Sequence, residues 1–178
     1  MIATFRNFLK SKKGVVSIEF SLIFPVFVFF MLGSLGTWDH YRAKRHSVMA
    51  VDTVADLVAR TNNMNNAERD LIFASAAVMM DRYADASSLA IGIHSVQDDG
   101  GGNIEVLWSQ ANNGTHSRSV GSFVTDVTFP PIPQGETAIL AELSFDYRSP
   151  VLYFVNADVP FEQFSIRRPR YVSVIGYQ

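Results

Sequence analysis

Apolar positions follow three regimes along the chain. From Phe20 to Trp38 they are nearly continuous, and these 19 positions carry no charge. At roughly 1.5 Å per helical residue the run is about 28 Å long, close to the hydrocarbon core of a bilayer. A buried helix of a soluble protein rarely stays apolar on all faces for this length, so the run predicts one transmembrane helix. From Asp39 to Thr61 the pattern turns periodic. Val48, Val51, Val54 with Ala55, and Val58 recur at spacings of three and four, while Arg42, Lys44, Arg45, Asp52, Asp56 and Arg60 occupy other faces. No Pro or Gly interrupts this second stretch. One helix is therefore expected from about residue 15 to 61, its first half in lipid and its second half packed on a sheet. Pro25 lies inside it and removes the hydrogen bond to the Ser21 carbonyl, which predicts a bend or a tolerated membrane proline. Gly33 and Gly36 are three apart, not at the four-residue spacing of small-xxx-small packing.

The Asn-rich segment 61–66 ends the helix, and an Asn there caps a second one expected over 67–84. Its apolar positions, Leu71, Ala74, Ser75, Val78 and Tyr83, form no clean stripe, while Arg69 and Asp81 are expected on its wet side. From Ser87 the period switches to two. Leu89, Ile91 and Ile93 alternate with smaller or polar residues, as do Ile104, Val106 and Trp108. Residues 97–103, Gln-Asp-Asp-Gly-Gly-Gly-Asn, make the turn of a hairpin between them. Residues 111–122 read as loop, and Pro130, Pro131 and Pro133 break any strand. Thr137, Ile139, Ala141, Leu143, Phe145 and Tyr147 predict a long strand. A last strand is expected to contain Phe164–Arg168 or Tyr171–Tyr177, with Pro169 at an edge or bulge. The fold class is α+β: a long N-terminal helix, a short second helix and an antiparallel sheet. The division is a basic leader over 1–14, a transmembrane helix over 15–38 and an α+β domain over 39–178.

Charge sharpens this picture. Residues 1–45 hold seven Lys and Arg against Glu19 and Asp39, whereas residues 46–178 hold eight Arg, no Lys and fifteen acids. An acidic domain is a poor nucleic-acid binder, because phosphate attraction needs basic surface. Arg6, Lys10, Lys12 and Lys13 precede the span with no acid among them, which predicts a cytoplasmic N-terminus and a domain outside the inner membrane. Arg42, Lys44 and Arg45 oppose that bias from the other end. The chain has no Cys, which excludes disulfides, thiolate catalysis and Cys-ligated metals.

Glu19 is the anomaly of the apolar run. A lone carboxylate costs roughly 2.5–3.5 kcal/mol at a membrane helix centre and less near the interface. It is either solvated at headgroup depth or needs a positive partner. One would arise if the chain were cut after Gly14, because Val15 would then carry a free α-amine.

The stretch Lys12-Lys13-Gly14-Val15-Val16-Ser17-Ile18-Glu19-Phe20 resembles a type IV prepilin cleavage site. Gly-Val-Val-Ser-Ile-Glu-Phe, with a long polar domain behind it, is similar to the TadE-like pseudopilins of tight-adherence (Flp-type) pilus systems. The likeness is specific over residues 10 to about 60 and looser beyond, resting there on Arg167, Arg168 and Arg170 around Pro169. Major Flp pilins are far shorter and place Glu-Tyr where this chain has Glu19-Phe20, so the resemblance points to a minor component. It implies a pilin-like fold, cleavage between Gly14 and Val15 by a prepilin peptidase, and a role for Glu19 and Phe20 in assembly. The implied partners are the bacterial inner membrane, other pilins or pseudopilins and the pilus assembly machine.

Other candidates are weaker. Ser34-Leu35-Gly36 resembles a signal-peptidase site, but the apolar run exceeds the usual h-region of about 7–15 residues. Asp98 and Asp99 lack the alternating acids of a calcium loop and read as turn chemistry. His40, His46, His94 and His116 have no zinc spacing and read as surface or interface residues. Asn113-Gly114-Thr115 is a formal glycosylation sequon taken as chance. Arg167, Arg168 and Arg170 would contact a neighbouring subunit or, as preferred here, pair locally with Asp146, Asp158 or Glu162. No catalytic signature, cofactor motif or small-molecule site is evident. The expectation is a structural pilus-assembly protein. The alternatives are a membrane-anchored binding domain that joins no filament and, more remotely, a secreted enzyme.

Overall fold

The computed structural model describes residues 15–85, 87–147 and 159–178. The leader, with Gly14, lies outside the described residues, as does Asp158. Helix α1 runs unbroken from Val15–Ala59, 45 residues, through Pro25. The short strand β1 (Asn63–Met64) leads into α2 (Asn66–Met80), whose N-cap is Asn65. The Asn65 side chain accepts the Glu68 N–H at 2.9 Å, satisfying one of the orphan donors of a helix start. Strands β2 (Ala90–Asp98), β3 (Ile104–Ala111), β4 (Thr137–Tyr147) and β5 (Val159–Arg167) form an antiparallel sheet in the order β3-β2-β4-β5. Strand β6 (Gly176–Tyr177) pairs in parallel with β1. The class is α+β, with a layout consistent with a pilin-like plan.

The β2–β3 turn forms as its composition demands. Asp98 accepts the N–H groups of Gly100 and Gly102, Asp99 accepts those of Gly101 and Asn103, and Gly100 and Gly102 sit at φ near +85°. Strand β5 takes in residues 164–167 of the first expected segment but begins earlier, at Val159, and carries Pro160. Strand β5 is a sheet edge, where a residue without an N–H costs no ladder bond.

Alternation on β4 builds two cores. Ile139, Ala141, Leu143, Phe145 and Tyr147 face α1 and α2 and join Val51, Val54, Ala55 and Val58 in the larger one. Ala138 and Leu140 point the other way and meet Val96, Val106, Val124 and Ile132 beneath the segment that links β3 to β4. One expectation fails here, and one open question is answered. Val48 is exposed while Ser47 takes the inward position, so the stripe on α1 begins one position earlier than the apolar residues suggested. On α2, Leu71 (72 % exposed) and Val78 (78 %) point outward, and Ile72, Phe73, Ala76 and Met80 are buried. Arg69 is not a free wet residue either, since it donates to Gln110 at 2.9 Å and to the Tyr177 hydroxyl at 3.2 Å.

The C-terminal segment ties these layers together. Trp108 Nε1 donates to the Ile175 carbonyl at 2.7 Å, Arg170 N to Ala59 O at 2.9 Å and Gln178 N to Met64 O at 2.9 Å. Leu143 is fully buried at the centre of the larger core. Leu143→Ala should lower the unfolding free energy of the full chain in detergent by about 2–5 kcal/mol, read from denaturant unfolding followed by Trp fluorescence.

Candidate functional site

The first half of α1 is mostly exposed. Its most apolar 18-residue window is 0 % buried, which separates it from the core helix of a soluble domain. Phe20, Phe24, Phe27, Phe29 and Phe30 are all exposed, and only Phe20 and Phe24 contact each other, with ring centroids 5.6 Å apart. The helix is long and apolar enough to cross a membrane. Glu19 is exposed among these rings and makes no hydrogen bond or ion pair. Val15 is the first described residue of the helix, and its backbone nitrogen lies one turn from Glu19, the i,i+4 relation of neighbours on one helix face.

The second half of α1 is bound to the sheet by polar contacts as well as by its apolar face. Tyr147 donates to Asp39 at 2.6 Å, and His40 packs against the Tyr147 and Phe161 rings at 5.5 and 4.8 Å. Asp52 accepts from Ser165 at 2.6 Å and Arg167 at 3.0 Å, and Asp56 pairs with both Arg60 and Arg170. Arg168 donates to the Pro131 carbonyl and lies 4.0 Å from Glu136. The arginine cluster thus pairs within the chain, but not with Asp146 or Glu162. The partners of Arg167 and Arg170 sit on α1, more than 110 residues away in sequence, at a spacing of four that puts both carboxylates over the end of β5. Exposed pairs of this kind contribute little stability singly, but two of them, with the Ser165–Asp52 hydrogen bond, fix the helix across the sheet edge.

Sequence reading missed a buried polar cluster on the far face of the sheet. His94 is fully buried, contrary to a surface role, and its Nδ1 lies 2.9 Å from Ser109 Oγ. Its Nε2 lies 2.9 Å from Glu142 Oε2, off the line of an aligned hydrogen bond. Arg118 donates to both Glu142 oxygens, at 2.9 and 2.7 Å, and to both Asp126 oxygens, at 3.0 and 2.6 Å. Gly92 makes room for this cluster: a Cβ there would stand 2.6 Å from His116 Cβ and 2.9 Å from the His116 carbonyl oxygen. Burial raises the Glu142 pKa, but His94 and Arg118 outweigh it and hold the carboxyl at about 2. Burial pushes the half-buried His116 below its ordinary value, and its Nε2 meets Ser144 Oγ at 2.8 Å.

The Ser109, His94 and Glu142 contacts superficially match a nucleophile triad. Yet the imidazole is sealed from solvent and the Ser109 oxygen accepts the Arg118 N–H at 3.0 Å. The cluster therefore joins β2, β3 and β4 to the overlying loop rather than presenting a nucleophile to a cleft. Among the described residues, no group of three His, Asp or Glu is placed to hold a metal. No protein-family model, curated protein or solved structure matches the chain.

The Glu142 shift fixes the sign of an acid effect. A carboxylate whose pKa falls from 4.5 to about 2 on folding adds stability that is complete above about pH 4.5 and is lost as pH drops toward 2. The thermal midpoint of the full chain should fall through that window. Glu142→Gln should show a lower midpoint at pH 6 and a shallower decline below pH 4.5.

Proposed function

We propose that the chain is a minor pilin or pseudopilin that takes part in assembling a tight-adherence, type IV-like pilus. In this reading a prepilin peptidase cuts between Gly14 and Val15. Helix α1 holds the protein in the bacterial inner membrane, with the basic leader cytoplasmic and the sheet domain periplasmic. The orientation rests on Arg6, Lys10, Lys12 and Lys13, which lie together before the span without an acid.

One observation carries the reading. A single uninterrupted helix, described from Val15 onward, exposes an unpaired Glu19 at the head of the apolar run and ends clamped to a sheet. Such a helix suits side-by-side packing with copies or relatives of itself. A subunit entering the assembly would bring its new α-amine to an earlier subunit's Glu19. A pair shielded from water is worth more than an exposed one, and leaving one member alone there costs about 3–5 kcal/mol. Phe20 lies beside Glu19, 65 % exposed, and would pack in the same contact. The protein is then a substrate of the peptidase, and its own chemistry is non-covalent.

Glu19→Gln tests this, because it removes charge and keeps size. The variant should be cut after Gly14 and remain in the membrane, yet fail to restore surface pili in a deletion strain, with cleavage and piliation scored separately. Normal piliation would mean that the carboxylate is merely solvated at headgroup depth. A wild-type chain that stays uncut and never enters a filament would favour the alternative, a membrane-anchored periplasmic binding domain.

A further inference from the structure

Every arginine from Arg60 onward among the described residues has a carboxylate within 4.0 Å. Arg42, Lys44 and Arg45 differ. Their side chains are exposed and make no ion pair or hydrogen bond among the described residues, although the domain beside them is rich in acids. They follow the uncharged run directly, on the first turns of α1 beyond Trp38.

Two of the three share one groove. Trp38, Tyr41, Arg42, Arg45, His46 and Met49 line a hollow of about 300 Å³ along α1. Positions 38, 42, 45 and 49 recur at four, three and four, so they stack on one face. Lys44 is two positions from Arg42 and one from Arg45, and it points elsewhere. Trp38 (63 % exposed) and Tyr41 (59 %) are amphipathic rings of the kind that sit at headgroup level. Met49 and His46 close the domain side, where His46 packs on Tyr83 at 5.2 Å. The groove therefore has two guanidiniums, each able to fork onto phosphate oxygens, above apolar walls continuous with the membrane-facing surface.

We propose that this groove binds the headgroup of an anionic phospholipid in the leaflet that faces the domain. The phosphate sits between Arg42 and Arg45, and the upper acyl chain lies along Trp38. The bound lipid sets the depth of α1 and holds the domain at a defined height over the bilayer. The proposal rests on α1 spanning the membrane and does not depend on cleavage or on pilus entry.

The test uses the full chain in vesicles of equal parts phosphatidylglycerol and phosphatidylcholine. The protein is extracted in mild detergent and the retained lipids are weighed by mass spectrometry. Phosphatidylglycerol should be enriched on the order of tenfold over the bulk ratio. Arg42→Gln with Arg45→Gln should return retention to the bulk ratio, while Lys44→Gln keeps the enrichment. Unchanged thermal midpoints would show that the variants are folded, as their exposed side chains lead one to expect. Equal losses in the two variants would mean diffuse charge attraction and would overturn the site. So would displacement of the lipid by excess inorganic phosphate, which would identify a free anion as the ligand. A chain that inserts without any enrichment refutes the groove alone. A chain that does not enter vesicles refutes the span, and the groove with it.

Discussion

One helix has to satisfy two solvents, and most of the molecule follows from how it does so. In a hydrocarbon layer every backbone N–H and C=O must be satisfied within the segment, which a continuous helix does and an irregular chain does not. The first half of α1 therefore tolerates a ring of exposed Phe side chains that a soluble domain would not leave in water. The second half has the opposite requirement. Ala43, Ser47, Ala50 and Val54 are small residues at helical spacing, and their burial lets the α1 backbone approach the sheet closely. No loop separates the two halves, so the membrane segment and the sheet are parts of one rigid lever.

The clamp at the far end of that lever makes the coupling mechanical. Asp52 and Asp56 on α1 reach Ser165, Arg167 and Arg170, and the Arg170 N–H caps the Ala59 carbonyl. Asp39 is held by Tyr147 near the membrane end. A displacement of α1 in the bilayer would then be felt by β4 and β5 directly. The unpaired Arg42 and Arg45 lie between the two anchors, where lipid headgroups would be.

The sequence made the long elements legible and the partnerships not. Period two on β4 and the apolar run of α1 are signals repeated over many residues, and each is reproduced at its place. On α2 the signal is short and mixed. Leu71 and Val78 look as apolar as Ile72 and Phe73, and only the packing of α2 against α1 decides which face turns inward. The arginine partners were out of reach for a different reason. Asp52 and Asp56 are more than 110 residues from Arg167 and Arg170, and the nearer acids were the natural guess. The His94–Glu142–Arg118 cluster was hidden because β2 and β4 alternate as if one face met water. One signal was present all the same: Gly92, His94 and Glu142 share a face with Val96 and Leu140, which an exposed face would not carry. The leader and its cleavage site were legible only through resemblance, since residues 1–14 lie outside the described structure.

In the proposed function α1 is made behind a leader and works after its removal. The direct measurement is intact mass with N-terminal sequencing of the protein purified from native membranes. The expected result is a chain that starts at Val15. A chain that retains Met1 would contradict it, and one that starts at Thr37 would replace the membrane helix with a cleaved signal peptide.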